Sequence, residues 1–290
     1  MSTGERPSIH PSACEELTFG LLAGGHRLQA KTILPPGTSL TGSGPTLVFL
    51  HEALGSITQW RGFPLALASA TGLPALVYDR LGHGKSEPRP LPLAPGYLET
   101  EARERLPEVL AACGIEVPFL VGHSDGGTIA LLYAARFPRA PLAVITEAAH
   151  VWVEAEALQG IWRTLRAYGT TPLRERLRTH HGDRVDEVFH AWSDVWLSPA
   201  FRDWSMVGLL PALTCPVLAI QGEADEYGTP DQVRAILEAV SGPAQGLILP
   251  GCAHVPHFQA KEEVLDGMVR FIREVAADSP RIQPMRQHLG

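Results

Sequence analysis

The sequence predicts an α/β protein in which helices cover both faces of a mostly parallel central sheet and a helical segment is inserted between two strands. Short continuous runs of Val, Ile, Leu and Phe recur along the chain, and segments of helical composition separate them. Such runs are typical of parallel strands buried on both faces, and strand–helix alternation favours an α/β fold with right-handed crossovers. The predicted strands are 46–50, 74–78, 118–121, 142–145, 216–220 and 246–249.

An N-terminal hairpin and three helices complete the predicted core. Two extended segments within residues 15–34 flank Gly24 and Gly25, a pair that indicates a tight turn between antiparallel strands. Residues 128–136 and 230–240 have helical composition. Residues 261–275 place their apolar side chains on one helical face, which predicts a helix that packs against the sheet.

The segment 150–211 departs from this alternation, because it contains no clear strand and holds five of the six tryptophans. We therefore expect a core of residues 1–149 and 212–290, with 150–211 inserted as a helical cap. An apolar stripe recurs in the cap at helical spacing. The stripe comprises Val185, Val188, Phe189, Trp192, Val195 and Trp196. It either packs the cap onto the sheet or also lines a pocket mouth, so Trp152, Trp192 and Trp196 are candidate substrate-binding residues.

The composition excludes several classes of protein. The 290 residues carry a net charge of −7 without a basic cluster, which argues against nucleic-acid binding. No run approaches the roughly 18 apolar residues of a membrane helix, and the N-terminus lacks the apolar segment of a secretory signal. The four cysteines are far apart and are interpreted as small buried residues. We expect a cytoplasmic protein that binds neither membranes nor metals; a homodimer is compatible with the sequence.

A candidate nucleophile lies at a predicted strand-to-helix junction. Residues 122–126 (Gly-His-Ser-Asp-Gly) match the pattern G-x-S-x-G directly after strand 118–121 and directly before a helical run. In this context the pattern predicts a sharp turn that holds the Ser124 hydroxyl above the sheet. Gly122 and Gly126 remove side chains that would collide in so tight a turn. The helix that follows places N–H groups and a positive dipole end near the reacting centre.

A serine nucleophile needs a base, and the base needs an orienting carboxylate. In proteins whose nucleophile lies in this kind of strand–turn–helix, the chain order is serine, then Asp or Glu, then His. Asp225 and His254 each follow a predicted strand at its carboxyl end, where the active sites of open α/β sheets assemble. The competing candidates are Glu223, Glu226 and Asp231 for the acid and His257 for the base.

Two polar loops and a group of histidines in the cap are further candidates for a functional role. Residues 51–55 follow strand 46–50, and an oxyanion hole needs one N–H from this loop and one just after the nucleophile; these are the N–H groups of Ala53 and Asp125. Residues 79–86 are rich in glycine but lack the spacing of a phosphate-binding loop, which favours a structural loop anchored by its Asp and Arg. The histidines of the cap are interpreted as a solvated face, since they lack metal-ligand spacing; they are His180, His181 and His190.

From about residue 15 to residue 275 the chain resembles the α/β-hydrolase superfamily. Residues 51–56, 79–86 and 122–127 carry the resemblance together with Asp225 and His254. The resemblance implies a mostly parallel sheet of about eight strands with a helical cap inserted after the sixth. It also implies the acid and base roles of Asp225 and His254, whose placements match those of relatives.

Two residues depart from the pattern of the superfamily. Glu52 stands where many relatives carry glycine, so it is expected to crowd or charge the pocket entrance. Asp125 follows the nucleophile where larger neutral residues are common, and we expect its carboxylate to be tied to a neighbouring donor. A serine at position 124 argues against haloalkane dehalogenases and epoxide hydrolases, because those relatives use Asp there.

The predicted function is that of a cofactor-free serine hydrolase. It would cleave a small carboxylic ester or thioester with an apolar or aromatic acyl group through an acyl-enzyme. Glu52, His123 and His257 join the cap tryptophans as candidate substrate-binding residues. One alternative is a C–C bond hydrolase of ring-cleavage products, in which Arg61 or Arg80 binds a carboxylate. The other alternative is a ligand-binding module with little turnover, because one fold hosts many functions.

Overall fold

The computed structural model describes residues 14–281 of the chain. Residues 1–13 and 282–290, which are the two ends of the predicted core, lie outside the described residues. Eight strands form one sheet in the order β1-β2-β4-β3-β5-β6-β7-β8. The strands are β1 (Glu15–Ala23), β2 (His26–Leu34), β3 (Gly42–Leu50), β4 (Ala75–Tyr78), β5 (Ile115–His123), β6 (Ala143–Glu147), β7 (Val217–Gly222) and β8 (Ala244–Leu249).

The sheet is antiparallel at one edge and parallel elsewhere. Strands β1 and β2 form the predicted hairpin, with Ala23 paired to His26. Its turn needs glycine because Gly24 and Gly25 have φ angles of 55° and 79°, which favour residues without a Cβ. Strand β2 pairs antiparallel with β4, and all the remaining pairs are parallel.

Helices cover both faces of the sheet, so the predicted fold class is confirmed. One apolar cluster joins α1 and α10 to one face, and a second joins α3, α4 and α8 to the other. The helices are α1 (Phe63–Thr71), α2 (Tyr97–Thr100), α3 (Leu106–Ala112), α4 (Asp125–Arg136), α5 (Ala155–Thr170), α6 (Leu173–His181), α7 (Val185–Trp196), α8 (Asp231–Ala239), α9 (Pro256–Gln259) and α10 (Lys261–Asp278). Within residues 14–281 no helix is long and apolar enough to cross a membrane.

The insertion between β6 and β7 is helical, as the sequence predicts. Helices α5, α6 and α7 lie there, and the apolar stripe that begins at Val185 forms the buried side of α7. The division into a core and a cap at residues 150 and 211 stays a prediction.

Several elements differ from their predicted form. Strand β8 is the last strand of the sheet, and its residues are exposed or half-buried except for Leu249, which is buried. Helices α1, α2 and α3 were not predicted from the sequence. Their apolar residues are too closely spaced to separate a helix from a strand by periodicity alone.

Candidate active site

Ser124 occupies a strained turn between β5 and α4. Its backbone has φ 52° and ψ −119°, a conformation that non-glycine residues adopt mainly at functional sites. Two glycines make this turn possible, because a Cβ on Gly122 would collide with the backbone of Gly126, and one on Gly126 with the backbone of Leu50. The helix α4 begins at Asp125, directly after the serine. The local sequence therefore folds as the predicted strand–turn–helix.

Three polar side chains from three loops form a hydrogen-bonded chain at the carboxyl edge of the sheet. His254 Nε2 lies 3.1 Å from Ser124 Oγ, and His254 Nδ1 lies 2.9 Å from each carboxylate oxygen of Asp225. With Nδ1–H donated to Asp225, Nε2 is left as the acceptor for the serine hydroxyl. This arrangement can transfer the serine proton to a base.

The acid loop after β7 holds Asp225 from two sides. Gln221 Nε2 donates to Oδ2 at 2.6 Å and the Tyr227 N–H donates to Oδ1 at 2.8 Å. The competing acid Glu226 instead accepts the backbone N–H of His254 at 3.2 Å. The other two competitors, Glu223 and Asp231, are exposed.

His257 has a different partner from His254. Its ring Nδ1 lies 3.0 Å from Glu147 Oε2, and its backbone N–H donates to the same oxygen at 2.9 Å. Both side chains of this pair are buried. Because Glu147 engages His257, the geometry favours His254 over His257 as the base. Sequence reasoning missed Glu147, although its position at the carboxyl end of β6 was a usable signal.

Electrostatics favour the charged form of the His254–Asp225 pair. Burial alone would lower the pKa of His254, but the charge and hydrogen bond of Asp225, followed by the charges of Glu52 and Glu226, raise it overall. Burial would raise the pKa of Asp225, and the His254 charge and hydrogen bond lower it overall. An imidazolium formed during a reaction would therefore be stabilised in place.

The two backbone N–H groups predicted to form the oxyanion hole have no backbone acceptor in the described part of the chain. Within residues 14–281 no backbone carbonyl accepts a hydrogen bond from the N–H of Ala53 or of Asp125. Asp125 is the first residue of α4, where N–H groups have no acceptor inside the helix. Both residues line the cavity that contains Ser124, and their role as oxyanion donors stays a prediction.

That cavity has a volume of about 60 Å³ and lies between the core and the helical insertion. Aromatic and aliphatic side chains form most of its wall, as expected of a small-molecule site. The lining residues are Glu52, Ala53, Leu54, Ser124, Asp125, His150, Ala157, Ile161, Trp192, Trp196, Tyr227 and His254. Of the six predicted substrate-binding residues, Glu52, Trp192 and Trp196 are therefore among them.

The other three predicted substrate-binding residues do not line this cavity. The imidazole of His123 points away and hydrogen-bonds through Nε2 to the His254 carbonyl at 2.7 Å. His123 and His257 line a separate neighbouring cavity. Trp152 forms an isolated backbone bridge with Ser205 at the start of the insertion. Substrate binding by these three residues stays a prediction, because sequence neighbourhood could not resolve which way each side chain points.

The carboxylate of Asp125 is tied to neighbouring donors, as expected. Tyr97 OH donates to Oδ2 at 2.7 Å, and Trp196 Nε1–H donates in turn to Tyr97 OH at 2.9 Å. The guanidinium of Arg80 lies 3.8 Å from the same oxygen. The negative charge is thus held toward Tyr97 and Arg80, which leaves the backbone N–H to serve the cavity.

Burial raises the pKa of Glu52, although the positive charges of His254 and His257 and a hydrogen bond from the Leu54 N–H act against this.

Sequence reasoning missed three further residues around the site: Tyr97, His150 and Tyr227. His150 had a usable signal, since it follows β6 at its carboxyl end. Tyr97 had none, because its contacts with Asp125 and Trp196 join segments that are distant in sequence.

Two predictions about loops and histidines have different outcomes. The loop 79–86 is structural as expected, since the Asp79 carboxylate accepts the N–H groups of Ile57 at 2.7 Å and Lys85 at 2.8 Å. The interpretation of His181 as part of a solvated face is wrong. It is only 4% exposed, and both of its ring nitrogens contact the backbone of the core.

Comparison with known sequences identifies the family to which a chain with this fold belongs. The profile of the Alpha/beta hydrolase family matches residues 47–266, and the chain belongs to that family. In sequence it is similar to the 2-succinyl-6-hydroxy-2,4-cyclohexadiene-1-carboxylate synthase of Enterobacter sp. (strain 638). The two are 25% identical over 259 residues, which cover 81% of this chain and 95% of that protein.

Two solved structures show the same fold. The 2-hydroxy-6-oxo-6-phenylhexa-2,4-dienoate hydrolase of Rhodococcus sp. strain RHA1 superposes with a TM-score of 0.76 at 18% identity, covering 90% of this chain and 99% of that one. A thermophilic esterase from Thermogutta terrifontis has a TM-score of 0.63 at 20% identity, covering 89% and 99%. At these identities the likeness concerns the fold.

Proposed function

We propose that the protein is a serine hydrolase that cleaves a small carboxylic ester or thioester through an acyl-enzyme. The observation that carries this proposal is the hydrogen-bonded chain from Ser124 through His254 to Asp225. It provides a nucleophile, a base and an orienting acid in contact with each other, which is the arrangement that acyl transfer requires.

In the first step Ser124 Oγ attacks the acyl carbon while its proton moves to His254 Nε2. The carbonyl oxygen becomes an oxyanion, which the N–H groups of Ala53 and Asp125 stabilise. The imidazolium then protonates the leaving alcohol or thiol, whose bond to the acyl carbon breaks. In the second step water loses a proton to His254 and attacks the acyl-enzyme, which releases the acid and restores Ser124.

The cavity walls support a substrate with an apolar or aromatic acyl group. Trp192, Trp196 and Tyr227 supply flat rings around Ser124, and Ala157 and Ile161 supply aliphatic surface. Removal of such acyl surface from water favours binding by about 25 cal/mol per Å² of apolar area. The small volume of the cavity, about 60 Å³, favours a small acyl group.

The test is hydrolysis of p-nitrophenyl esters and acyl thioesters of graded acyl length. Ser124→Ala and His254→Ala should each lower kcat by roughly 10³–10⁶, whereas His257→Ala is the matched histidine control and should keep far more activity. Retained turnover in Ser124→Ala, or a loss in His257→Ala as large as in His254→Ala, would refute the assignment. Binding of esters without turnover by the unmodified protein would favour the ligand-binding alternative.

A second candidate function is C–C bond hydrolysis of a ketonic acid, and one observation favours it. The fully buried guanidinium of Arg80 lines a small cavity that shares Ala53, Asp125 and Trp192 with the Ser124 cavity. Its Nε and Nη1 atoms have no partner among the described residues, so they could donate to a carboxylate. Arg61 is a weaker candidate, because its guanidinium lies over the Phe258 ring at 4.4 Å. Hydrolysis of a ring-cleavage product by a protein that does not hydrolyse esters would favour this function.

A further inference from the structure

Three successive peptide carbonyls of the oxyanion loop each contact a buried imidazole. The Glu52 carbonyl lies 2.7 Å from His51 Nδ1, and the Ala53 carbonyl lies 2.9 Å from His83 Nε2. The Leu54 carbonyl lies 2.8 Å from His181 Nε2. All three imidazoles are at most 4% exposed, so water does not compete for these bonds.

The second nitrogen of each ring settles which nitrogen carries the proton. His51 Nε2 accepts the backbone N–H of Arg80 at 2.9 Å, and His83 Nδ1 accepts from Arg89 Nη2 at 2.8 Å. His181 Nδ1 accepts the backbone N–H of Gly84 at 3.0 Å. Since a neutral imidazole has one acceptor and one donor nitrogen, the remaining nitrogen of each ring donates to its carbonyl.

All three rings are held in the neutral form that this pattern needs. Burial lowers the pKa of His51 and His83 well below the ordinary value, helped by the positive charge of Arg80 near His51 and of Arg89 near His83. Burial also lowers the pKa of His181, to about 4. Around neutral pH the three imidazoles therefore act as fixed donor–acceptor pairs.

These bonds set the direction of the loop's N–H groups. In a planar trans peptide the N–H points opposite to the C=O of the preceding residue. The Glu52 carbonyl is held on one side by His51 and by Arg80 Nη2 at 2.9 Å, so the Ala53 N–H points to the other side. The Leu54 carbonyl is held by His181, so the Gly55 N–H of the same peptide points the opposite way and donates to the Glu52 carbonyl at 3.1 Å. The His181 bond therefore supports the carbonyl that sets the direction of the Ala53 N–H.

His181 differs from the other two histidines because it comes from the helical insertion. It is the last residue of α6 and reaches Leu54, which is 127 positions away in sequence. Arg184, three residues later, donates through Nη2 to the carbonyls of Gly84 at 2.8 Å and Ser86 at 2.7 Å. The end of α6 is thus joined both to the oxyanion loop and to the loop 79–86 behind it.

We infer that His181 is a positioning residue for the oxyanion hole, so that docking of α6 on the core and completion of the hole are one event. The inference rests on the proposed function, since it assigns a role in stabilising the oxyanion at Ser124. It gives the insertion a part in the chemistry besides forming the cavity wall. A displaced α6 would leave the Leu54–Gly55 peptide free to rotate, and the Glu52 carbonyl would lose the Gly55 N–H, one of the bonds that fix the direction of the Ala53 N–H.

The experiment compares three variants of His181 with a control on the same insertion. His181→Phe keeps a planar ring but has neither bond. His181→Asn keeps an acceptor near Gly84 but cannot reach Leu54, and His181→Gln keeps a donor that can reach Leu54. The control is His190→Phe, because His190 is exposed on α7. Each protein is assayed for kcat and KM with the best ester, and for the affinity of an aryl boronic acid and of the product acid.

Loss of one complete oxyanion donor costs about 10²–10³ in kcat, so a misdirected donor should cost roughly 10–100-fold. We expect that loss in His181→Phe and His181→Asn, mainly in kcat, with a matching loss of boronic acid affinity. The boronic acid forms a tetrahedral adduct that needs the oxyanion hole, whereas the product acid does not, so affinity for the product should stay within about threefold. His181→Gln should recover most of the activity, and His190→Phe should match the unmodified protein.

Two results would overturn the inference. One is a folded His181→Phe or His181→Asn with unchanged kcat and boronic acid affinity, whatever its thermal stability. The other is an equal loss in His181→Gln and His181→Asn, since the bond to Leu54 would then be irrelevant. If His181→Phe does not fold, the comparison of Asn with Gln still decides. Failure of the proposed function is distinct, because the unmodified protein would then show neither ester turnover nor a boronic acid adduct.

Discussion

The substitution Tyr97→Phe tests how the Asp125 carboxylate is kept away from the reacting centre. The change removes one buried oxygen and leaves the ring in place, so it creates almost no cavity. It deprives Trp196 Nε1–H of its acceptor and Asp125 Oδ2 of its 2.7 Å donor. A buried polar group without a partner costs about 1–3 kcal/mol, and more when it is charged. We therefore expect the free energy of unfolding to fall by about 3–5 kcal/mol.

The assay is urea unfolding followed by tryptophan fluorescence, with the m-value compared between variants. Tyr168→Phe is the matched control, because Tyr168 OH also donates to an aspartate, Asp186, at 2.6 Å. That carboxylate is partly exposed and is also held by Arg174, so the control should lose at most about 1 kcal/mol. Equal losses in the two variants, or a loss below 1 kcal/mol in Tyr97→Phe, would show that Tyr97 does not hold the Asp125 carboxylate.

Two further predictions concern the cavity and the base. Trp192→Leu should change the relative kcat/KM values of a panel of acyl esters at least several-fold, because Trp192 lines the Ser124 cavity. The control Trp152→Leu should leave these relative values unchanged, and equal effects of the two substitutions would contradict the prediction. The acid limb of kcat/KM should have its midpoint above pH 6.5, since activity needs neutral His254 and its pKa is raised from 6.5. Glu52→Gln removes a charge that raises this pKa, so the midpoint should move to lower pH, and the exposed-residue control Glu262→Gln should not move it. A midpoint that stays in place or rises in Glu52→Gln would refute the electrostatic argument.

The turn at Ser124 and the loops that carry Asp225 and His254 could be predicted from the sequence, because local rules define them. A strained strand–turn–helix needs small residues at fixed offsets from Ser124, and those offsets are visible without a structure. Asp225 and His254 follow strands that end at the same edge of a parallel sheet, so their proximity follows from the topology. The strand order and the edge position of β8 do not follow from local pattern, since they depend on pairings between distant segments.

The environments of buried polar residues were the least accessible part. His181 stands among polar neighbours on α6, and only the docking of that helix on residues 54 and 84 shows that it is buried. Likewise, Glu147 and His257 are 110 positions apart in sequence. Side-chain direction is decided by such long-range contacts, so the sequence did not show that Trp192 and Trp196 line the Ser124 cavity whereas His123 and Trp152 do not.

The proposed function requires that Ser124 is a nucleophile activated by His254. Its most direct test is reaction with a fluorophosphonate, followed by intact mass measurement and peptide mapping. We predict one adduct per chain, located on Ser124, with formation abolished in Ser124→Ala and slowed by several orders of magnitude in His254→Ala. An unmodified protein that forms no adduct, or an adduct that maps to another residue, would contradict it.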